Sequence, residues 1–322
     1  MESVKTSGQK NKLAAPVLAA VIAAAALFVL NALTGGKFLA PNNIQTIVVN
    51  ASAPTFIAWA FVFLQASGFT DLSLGAAIIL AANAAGTFGN LYGYPGLVVA
   101  GVVTGMVLMT INFSVFQFTK IPSWIAGLGM TMIYEAAGFF YSQQRLAAGE
   151  RVVNLDSQFR SLGRAPAVFV VMAIGMVLAY FIYNRTSVGL NIRAVGGNQA
   201  VAKVMGIPMT QTVILSGVIS GVFVGMAAVV KESFAGTVPA VSGLSSLSGT
   251  FQPLAAVLMA AALSKRINIT IGAVVGTVFI MAVFNVLTLL GVPSGTWQEV
   301  VLGLSVIIFG ITANRGTEEV VK

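Results

Sequence analysis

Ten runs of about 20 mostly apolar residues, each long enough to cross the ~30 Å hydrocarbon core of a bilayer as a helix, dominate this chain. They fall roughly at 13–33, 44–66, 72–90, 95–118, 123–141, 165–183, 211–231, 250–264, 268–289 and 296–313. Only 8% of the residues are charged, where a soluble domain carries about 25%. The fold class is therefore all-α, a polytopic membrane protein with about ten transmembrane helices. The eighth run is short, so it is either re-entrant or begins earlier, near Gly243. The first run has a basic start at Lys5, Lys10 and Lys12, but Asn31-Ala32-Leu33-Thr34 is not a small-x-small cleavage site, so it reads as a membrane helix and not a cleaved leader. No span boundary resembles a linker. Residues 1–322 read as one transmembrane domain with a polar tail over 1–12.

Orientation follows from the basic residues. With the N-terminus inside, the inner side holds Lys5, Lys10, Lys12, Lys120, Arg185, Arg193, Lys203, Lys265, Arg266, Arg315 and Lys322 of the 17 Lys and Arg. The outer side holds Lys37, Arg145, Arg151, Arg160, Arg164 and, at a span edge, Lys231. Both termini are thus expected in the cytoplasm. The opposing signal is the 142–164 loop with its arginines, long enough for a short amphipathic helix on the outer surface. The net charge of +8 lies at span ends and not in one patch, which excludes a nucleic-acid footprint.

Chemistry is sparse. With no cysteine and no histidine, thiol chemistry, disulfides, histidine metal ligands and histidine proton relays are excluded. No P-loop, paired carboxylates or Ser/His/Asp set is present, so no catalytic residue, metal or cofactor is expected. Asp71, Glu232 and Glu299 lie near span ends. Glu135 is the deepest acid: either a carboxylate snorkelling outward, since Gln143 and Arg145 follow, or a functional intramembrane acid. Asn50, Ser52, Gln65, Asn83, Asn112, Gln117, Ser216, Gln252 and Asn285 fall inside apolar runs, where they either line a polar pathway or hydrogen-bond helices together. Pro54 predicts a kink in the second span. Glycines recur at helical spacing at 217/221/225, 101/105 and 272/276, faces that serve bundle packing or a dimer seam.

One polar, cationic segment between apolar runs stands apart, Arg185 to Ile207. From about Asn198 to Met205 it predicts a short helix: Gly196 and Gly197 precede it, Asn198 caps it and Gly206 closes it. It is either an ordinary positive-inside loop or a dock for a cytoplasmic partner.

Arg185, Thr186, Gly189, Ala194, Gly196, Gly197, Asn198, Ala202, Gly206 and Ile207 in this spacing resemble the cytoplasmic signature of ribose-type sugar permeases, the membrane subunits of bacterial ABC importers. Gly68-Phe69-Thr70-Asp71-Leu72-Ser73-Leu74-Gly75 is similar to a second motif of that family, and Pro122, Ile125, Leu128 and Gly129 to a third. The resemblance covers about residues 13–313. The chain departs from the pattern at Glu135-Ala136, where a basic residue and glycine are common, and at 261–268, where a glycine-rich loop is missing. The 189–196 stretch also resembles related nucleoside permeases.

The resemblance implies a ribose/branched-chain-type ABC permease fold in the bacterial cytoplasmic membrane. It implies a second permease chain, two cytoplasmic ABC ATPase domains that grip short coupling helices, and an extracytoplasmic solute-binding protein, all within lipid. The coupling segment is 191–206, with Gly196, Gly197, Asn198, Gln199, Ala202, Lys203 and Gly206 shaping it. Asn50, Ser52, Gln65, Asn83, Asn112, Ser216, Gln252 and Asn285 are the candidate substrate path for a small hydroxylated solute, a sugar first and a nucleoside or other metabolite second. An ion-coupled secondary transporter is the alternative of another class.

Overall fold

The computed structural model describes residue 25 and residues 27–147, 154–292 and 295–318; every regular element among them is helical. In chain order these are α1 (Pro41–Ala66), α2 (Leu74–Thr119), α3 (Ser123–Ala147), α4 (Ala167–Arg185), α5 (Ser187–Gly197), α6 (Gln199–Val204), α7 (Met209–Ala235), α8 (Ser248–Ala262), α9 (Ile269–Leu289) and α10 (Thr296–Glu318). Residues 27–33 are helical and end the first apolar run; 1–24, including the tail, lie outside the described residues. Five helices (α1, α2, α4, α7 and α9) are long and apolar enough to cross a membrane, and α10 has a shorter apolar stretch, Trp297–Ala313.

α2 accounts for two of the expected spans. It is two helical arms, 74–92 and 94–119, turned back on each other at Gly93 (φ 66°, ψ −151°), a conformation that needs glycine. The antiparallel pairing is visible in the close approach of Gly89 to Leu97 and of Gly101 to Ala85. The Asn112 amide reaches back to Asp71 and Ser73. α1 is the hub, packed against α4, α7, α8 and α9. It runs through Pro54 as one helix, and Trp59, Phe61, Phe63 and Leu64 are fully buried on it. Proline removes the bond to the Asn50 carbonyl, yet the expected kink does not interrupt the helix.

The glycine faces meet each other inside the chain. An added Cβ on Gly105 would lie 2.8 Å from the Gly225 Cα, and one on Gly276 3.0 Å from the Ala256 Cα of α8. The 217/221/225 and 101/105 rows thus form one seam between α7 and α2, and 272/276 seats α9 on α8. These faces are bundle packing and not a dimer seam, because backbones in lipid gain most where small residues let them approach.

The eighth span is short. α8 has 15 residues, about 22 Å at ~1.5 Å per residue, less than the ~30 Å core. An irregular segment, 237–244, and a 3₁₀ turn, Ser245–Leu247, lead into it. Irregular backbone at membrane depth is tolerated only where protein covers it or a cavity borders it. The 142–164 loop carries no amphipathic α-helix among its described residues. α3 extends to Ala147, and two 3₁₀ turns, Ser157–Phe159 and Ser161–Gly163, follow. That segment is pinned to the α2 tip by Asn90, whose amide donates to the Asn154 carbonyl (2.9 Å). The end of α7 holds it too, through Leu155 N–H to the Gly236 carbonyl (2.8 Å).

Candidate functional site

Three constellations join the segments singled out in the sequence. The first is 185–207. Thr186 turns the chain out of α4 and caps α5, its hydroxyl accepting from the Gly189 N–H at 3.2 Å. This longer helix before Asn198 is absent from the expectation, which placed only the second half in a helix. The Thr186 cap and the apolar pair Ile192 and Val195, both buried, were its signal. Arg193 lies over the Tyr183 ring, 5.0 Å from its centre. Asn198 is extended (φ −157°, ψ 105°) and caps α6, its Oδ1 accepting from the Val201 N–H at 3.1 Å. At the other end Gly206 takes φ +76°. Its N–H bonds to the Lys203 carbonyl at 3.0 Å and the Ile207 N–H to the Ala202 carbonyl at 3.1 Å, a Schellman closure.

The two neighbouring glycines differ. A Cβ on Gly196 would overlap the Ala66 carbonyl oxygen and lie 2.8 Å from the Gly68 nitrogen, whereas Gly197 faces open space. The 185–207 segment is therefore seated on the turn that joins α1 to α2. On α6, Ala202 is 1% exposed and anchors the helix, while Val204 is 90% and Met205 70% exposed. Gln199 and Lys203 share the exposed side with Val201. Val201, Val204 and Met205 escaped sequence reasoning; apolar residues at i, i+3 and i+4 in a polar stretch were the available signal.

The second constellation is buried around the same turn. Asp71 is fully buried; its Oδ1 accepts from the Ser73 N–H (2.8 Å) and its Oδ2 from the Asn112 amide (2.7 Å). The Tyr134 hydroxyl donates to Asn112 Oδ1 at 2.6 Å. Burial pushes the Asp71 carboxyl above its ordinary range, while its bonds from Ser73 and Asn112 pull the other way.

The third centres on Glu135, the next residue of α3. Its carboxylate does not snorkel outward, and it is not unpartnered. Oε2 accepts from the Leu244 N–H at 2.8 Å and Oε1 from the Ser246 N–H at 2.9 Å. It thus holds the segment that opens α8. Leu244 there has φ +65°, a costly conformation for a branched side chain. Asn83 holds the same segment from the other side, donating to the Val238 carbonyl at 3.2 Å. The Gly75 N–H donates to Thr250 Oγ1 at 3.0 Å, and a Cβ at Gly75 would overlap the Ser246 carbonyl.

The family model described as "Branched-chain amino acid transport system / permease component" matches residues 43–310. The chain belongs to this permease family. It is similar to the fructose import permease protein FrcC of Rhizobium meliloti, 26% identical over 311 residues, 92% of this chain and 83% of the relative. It is similar also to the L-arabinose ABC transporter permease protein AraH of Azospirillum brasilense, 27% identical over 278 residues, 83% of this chain and 79% of that one. The galactose/methyl galactoside import permease protein MglC of Escherichia coli K12 is 25% identical over 297 residues, 85% of this chain and 86% of its own. No solved structure matches the chain. The permease is a multi-pass transport component of the inner membrane and not an enzyme.

Most of the polar residues proposed for a pathway are occupied within the permease. Asn83 and Asn112 serve the constellations above. Ser216 donates to the Phe63 carbonyl at 3.1 Å, and Ser52 to the Val49 carbonyl at 2.5 Å. Asn285 and Asn43 exchange amide bonds of 2.8 and 2.9 Å between α9 and α1. The Ser216 and Asn285 bonds hold helices together, while that of Ser52 stays within α1. Asn50 is exposed and borders a small pocket with Gln45 and Arg164, Gln117 donates to Thr210 at 3.3 Å, and Gln65 is half-buried. Gln252 borders a groove of about 630 Å³ with Gln298 and Glu299 of α10, and its buried amide nitrogen has no partner among the described residues. The structure thus does not bring the eight candidates to one surface.

Proposed function

We propose that this chain is the membrane subunit of an ATP-driven importer that takes a small hydroxylated solute, a sugar, from an extracytoplasmic binding protein across the cytoplasmic membrane. A second permease chain would complete the pathway, and two cytoplasmic ABC ATPase domains would hydrolyse ATP. The relatives named for fructose, L-arabinose and galactose support the substrate class. The observation that carries the coupling role is α6: a six-residue helix capped at both ends, anchored by Ala202 and presenting Val201, Val204 and Met205 away from the bundle. Exposed apolar side chains on a rigid, polar-flanked helix suit a protein partner.

Physically the permease makes and breaks no bonds. Closure of the ATPase domains reaches it as a push on α5 and α6, which the membrane helices convert into a shift between two packings. Gly196 rests on the Ala66–Gly68 turn, and Asp71, Asn112 and Tyr134 tie that turn to α3. Glu135 ties α3 to the segment that opens α8, so a contiguous run of contacts joins the dock to the start of that short helix.

Val204→Asp tests the dock. Val204 contributes little to the permease's own packing, so insertion and folding are expected unchanged. Loss of one central apolar contact, on the order of 2 kcal/mol, weakens ATPase binding and ATP-driven uptake in proteoliposomes about 30-fold. Normal co-purification and uptake would reduce α6 to a loop. For orientation, a cysteine at Gln199, in a chain without native cysteine, is expected to resist impermeant thiol reagents in intact cells and to react after lysis. Labelling in intact cells would invert the topology.

A further inference from the structure

A cavity of about 350 Å³ lies beside the start of α8, bordered by α1, the first arm of α2 and the end of α7. Its polar lining is Lys231, Thr237, Ser245, Ser246 and Ser248, set against Ile57 and its apolar neighbours. The size falls within the range of small-molecule sites, about 300–1,000 Å³. The Ser246 side chain is 4% exposed, and its hydroxyl has no hydrogen-bond partner among the described residues. A buried hydroxyl without a partner is an exception that calls for a reason, and a ligand that supplies the missing bond is one.

The charge around the cavity selects its occupant. Lys231 brings a cation, but the following residue, Glu232, is a buried acid that acts on it electrostatically. The backbone N–H groups of Leu244 and Ser246, which a helix start would otherwise offer to an anion, are already taken by the Glu135 carboxylate. The Arg160 guanidinium, which lies against Gly236, acts on the same acid, so two cations share one carboxylate, but the helix start has no free N–H pair left to hold an anion. What remains is an ammonium donor, the unpartnered Ser246 hydroxyl, and an apolar wall, with the Thr237, Ser245 and Ser248 hydroxyls, whose protons go to Asn154, Ser242 and Ser245, left as acceptors. This lining matches a ring with hydroxyl edges and an apolar face.

We propose that this cavity is a transit site for a neutral polyol, with Ser246 and Lys231 as its hydrogen-bonding residues. The inference rests on the importer reading above and goes further by placing one stop of the path within a single chain, beside the start of α8 and not among the amides of the sequence-based path.

The test uses the full chain assembled with its ATPase partner in proteoliposomes. Single cysteines are placed at Ser246, at Thr237 as a second cavity position, and at Ala255 as a fully buried control away from the cavity. The probe is 2-hydroxyethyl methanethiosulfonate, with D-fructose, L-arabinose and D-galactose in turn as free competitors. Both cavity cysteines are expected to react at least about tenfold faster than the control, and at least one sugar to slow them severalfold, as a weak millimolar site would. Reaction at the control rate, or reaction that none of the three sugars slows, overturns the proposal. Lys231→Met supplies an independent arm: loss of one charged hydrogen-bond donor is expected to reduce uptake about tenfold with ATPase association intact. Unchanged uptake in that variant counts against the site. Uptake by the unmodified complex is followed in parallel. If ATP drives no sugar uptake at all, the importer reading fails; if uptake is normal and the cavity cysteines are unprotected, only the cavity fails.

Discussion

Replacing Gly196 with alanine is expected to uncouple ATP hydrolysis from uptake, while the same change at Gly197 leaves transport near the wild-type rate. A methyl group at 196 would overlap the Ala66 carbonyl oxygen, lie 2.7 Å from the Ala66 carbonyl carbon and 2.8 Å from the Gly68 nitrogen; at 197 nothing lies within 4 Å. The obstacle is backbone, so no side-chain rotation relieves it, and the 185–207 segment must lift from the turn between α1 and α2. Overpacking of this kind costs about 1–3 kcal/mol. Because the force from an ATPase would enter through α6, a lifted segment moves without carrying the helices along. Uptake in proteoliposomes is expected to fall by about tenfold or more with ATPase activity retained. Equal transport by the two variants would show that the contact at Gly196 carries no force.

Glu135 yields the second large effect. Glu135→Gln is nearly isosteric, but both carboxylate oxygens accept backbone N–H groups. A carboxamide offers one acceptor and turns an NH₂ donor toward the other N–H. Leaving a buried donor unmatched costs about 1–3 kcal/mol. The Leu244 backbone, held at φ +65°, loses part of what fixes it. The start of α8 is expected to loosen, thermal stability to drop, and uptake to fall about tenfold or more. Glu135→Ala, with both donors unmatched, is expected to fall further. In neither case is an imposed pH gradient expected to alter uptake, since the residue acts as a fixed acceptor and not as a proton carrier. A wild-type proton-driven component that disappears in Glu135→Gln would instead support an ion-coupled carrier. By sequence Glu135 reads either as a carboxylate snorkelling outward or as a functional intramembrane acid; the two N–H bonds give it a different role, a fixed acceptor that holds the start of α8.

Much of the architecture was legible because hydropathy in a membrane protein is dictated by the solvent. A helix in lipid must be apolar over its crossing length, so nine of the ten expected runs reappear as helices or helical arms within the described residues, and the first in its last turns. Local capping was legible for the same kind of reason. Asn198 and Gly206 bracket α6 as their side-chain and backbone preferences dictate, and Thr186 could have revealed α5 had its capping role been weighed. The brevity of the eighth span was visible as well, although its cause was not.

The sequence by itself determined what short-range physics controls: which segments are helices, where they stop, and the family to which the motifs belong. Only the tertiary structure decided which polar groups are consumed and which stay available, because a buried amide pairs with whatever the fold brings to it. Asn112 meets Asp71 across a hairpin turned at Gly93, Asn285 meets Asn43 from the far end of the chain, and Glu135 meets a backbone segment more than 100 residues away. None of these pairings has a sequence period. The glycine rows show the same division: their spacing announced a close helix contact, but whether the partner was another chain or α2 depended on three-dimensional packing. The exposed face of α6 and the cavity beside α8 follow from the same cause, since a side chain's availability is set by its neighbours in space and not by its neighbours in the chain.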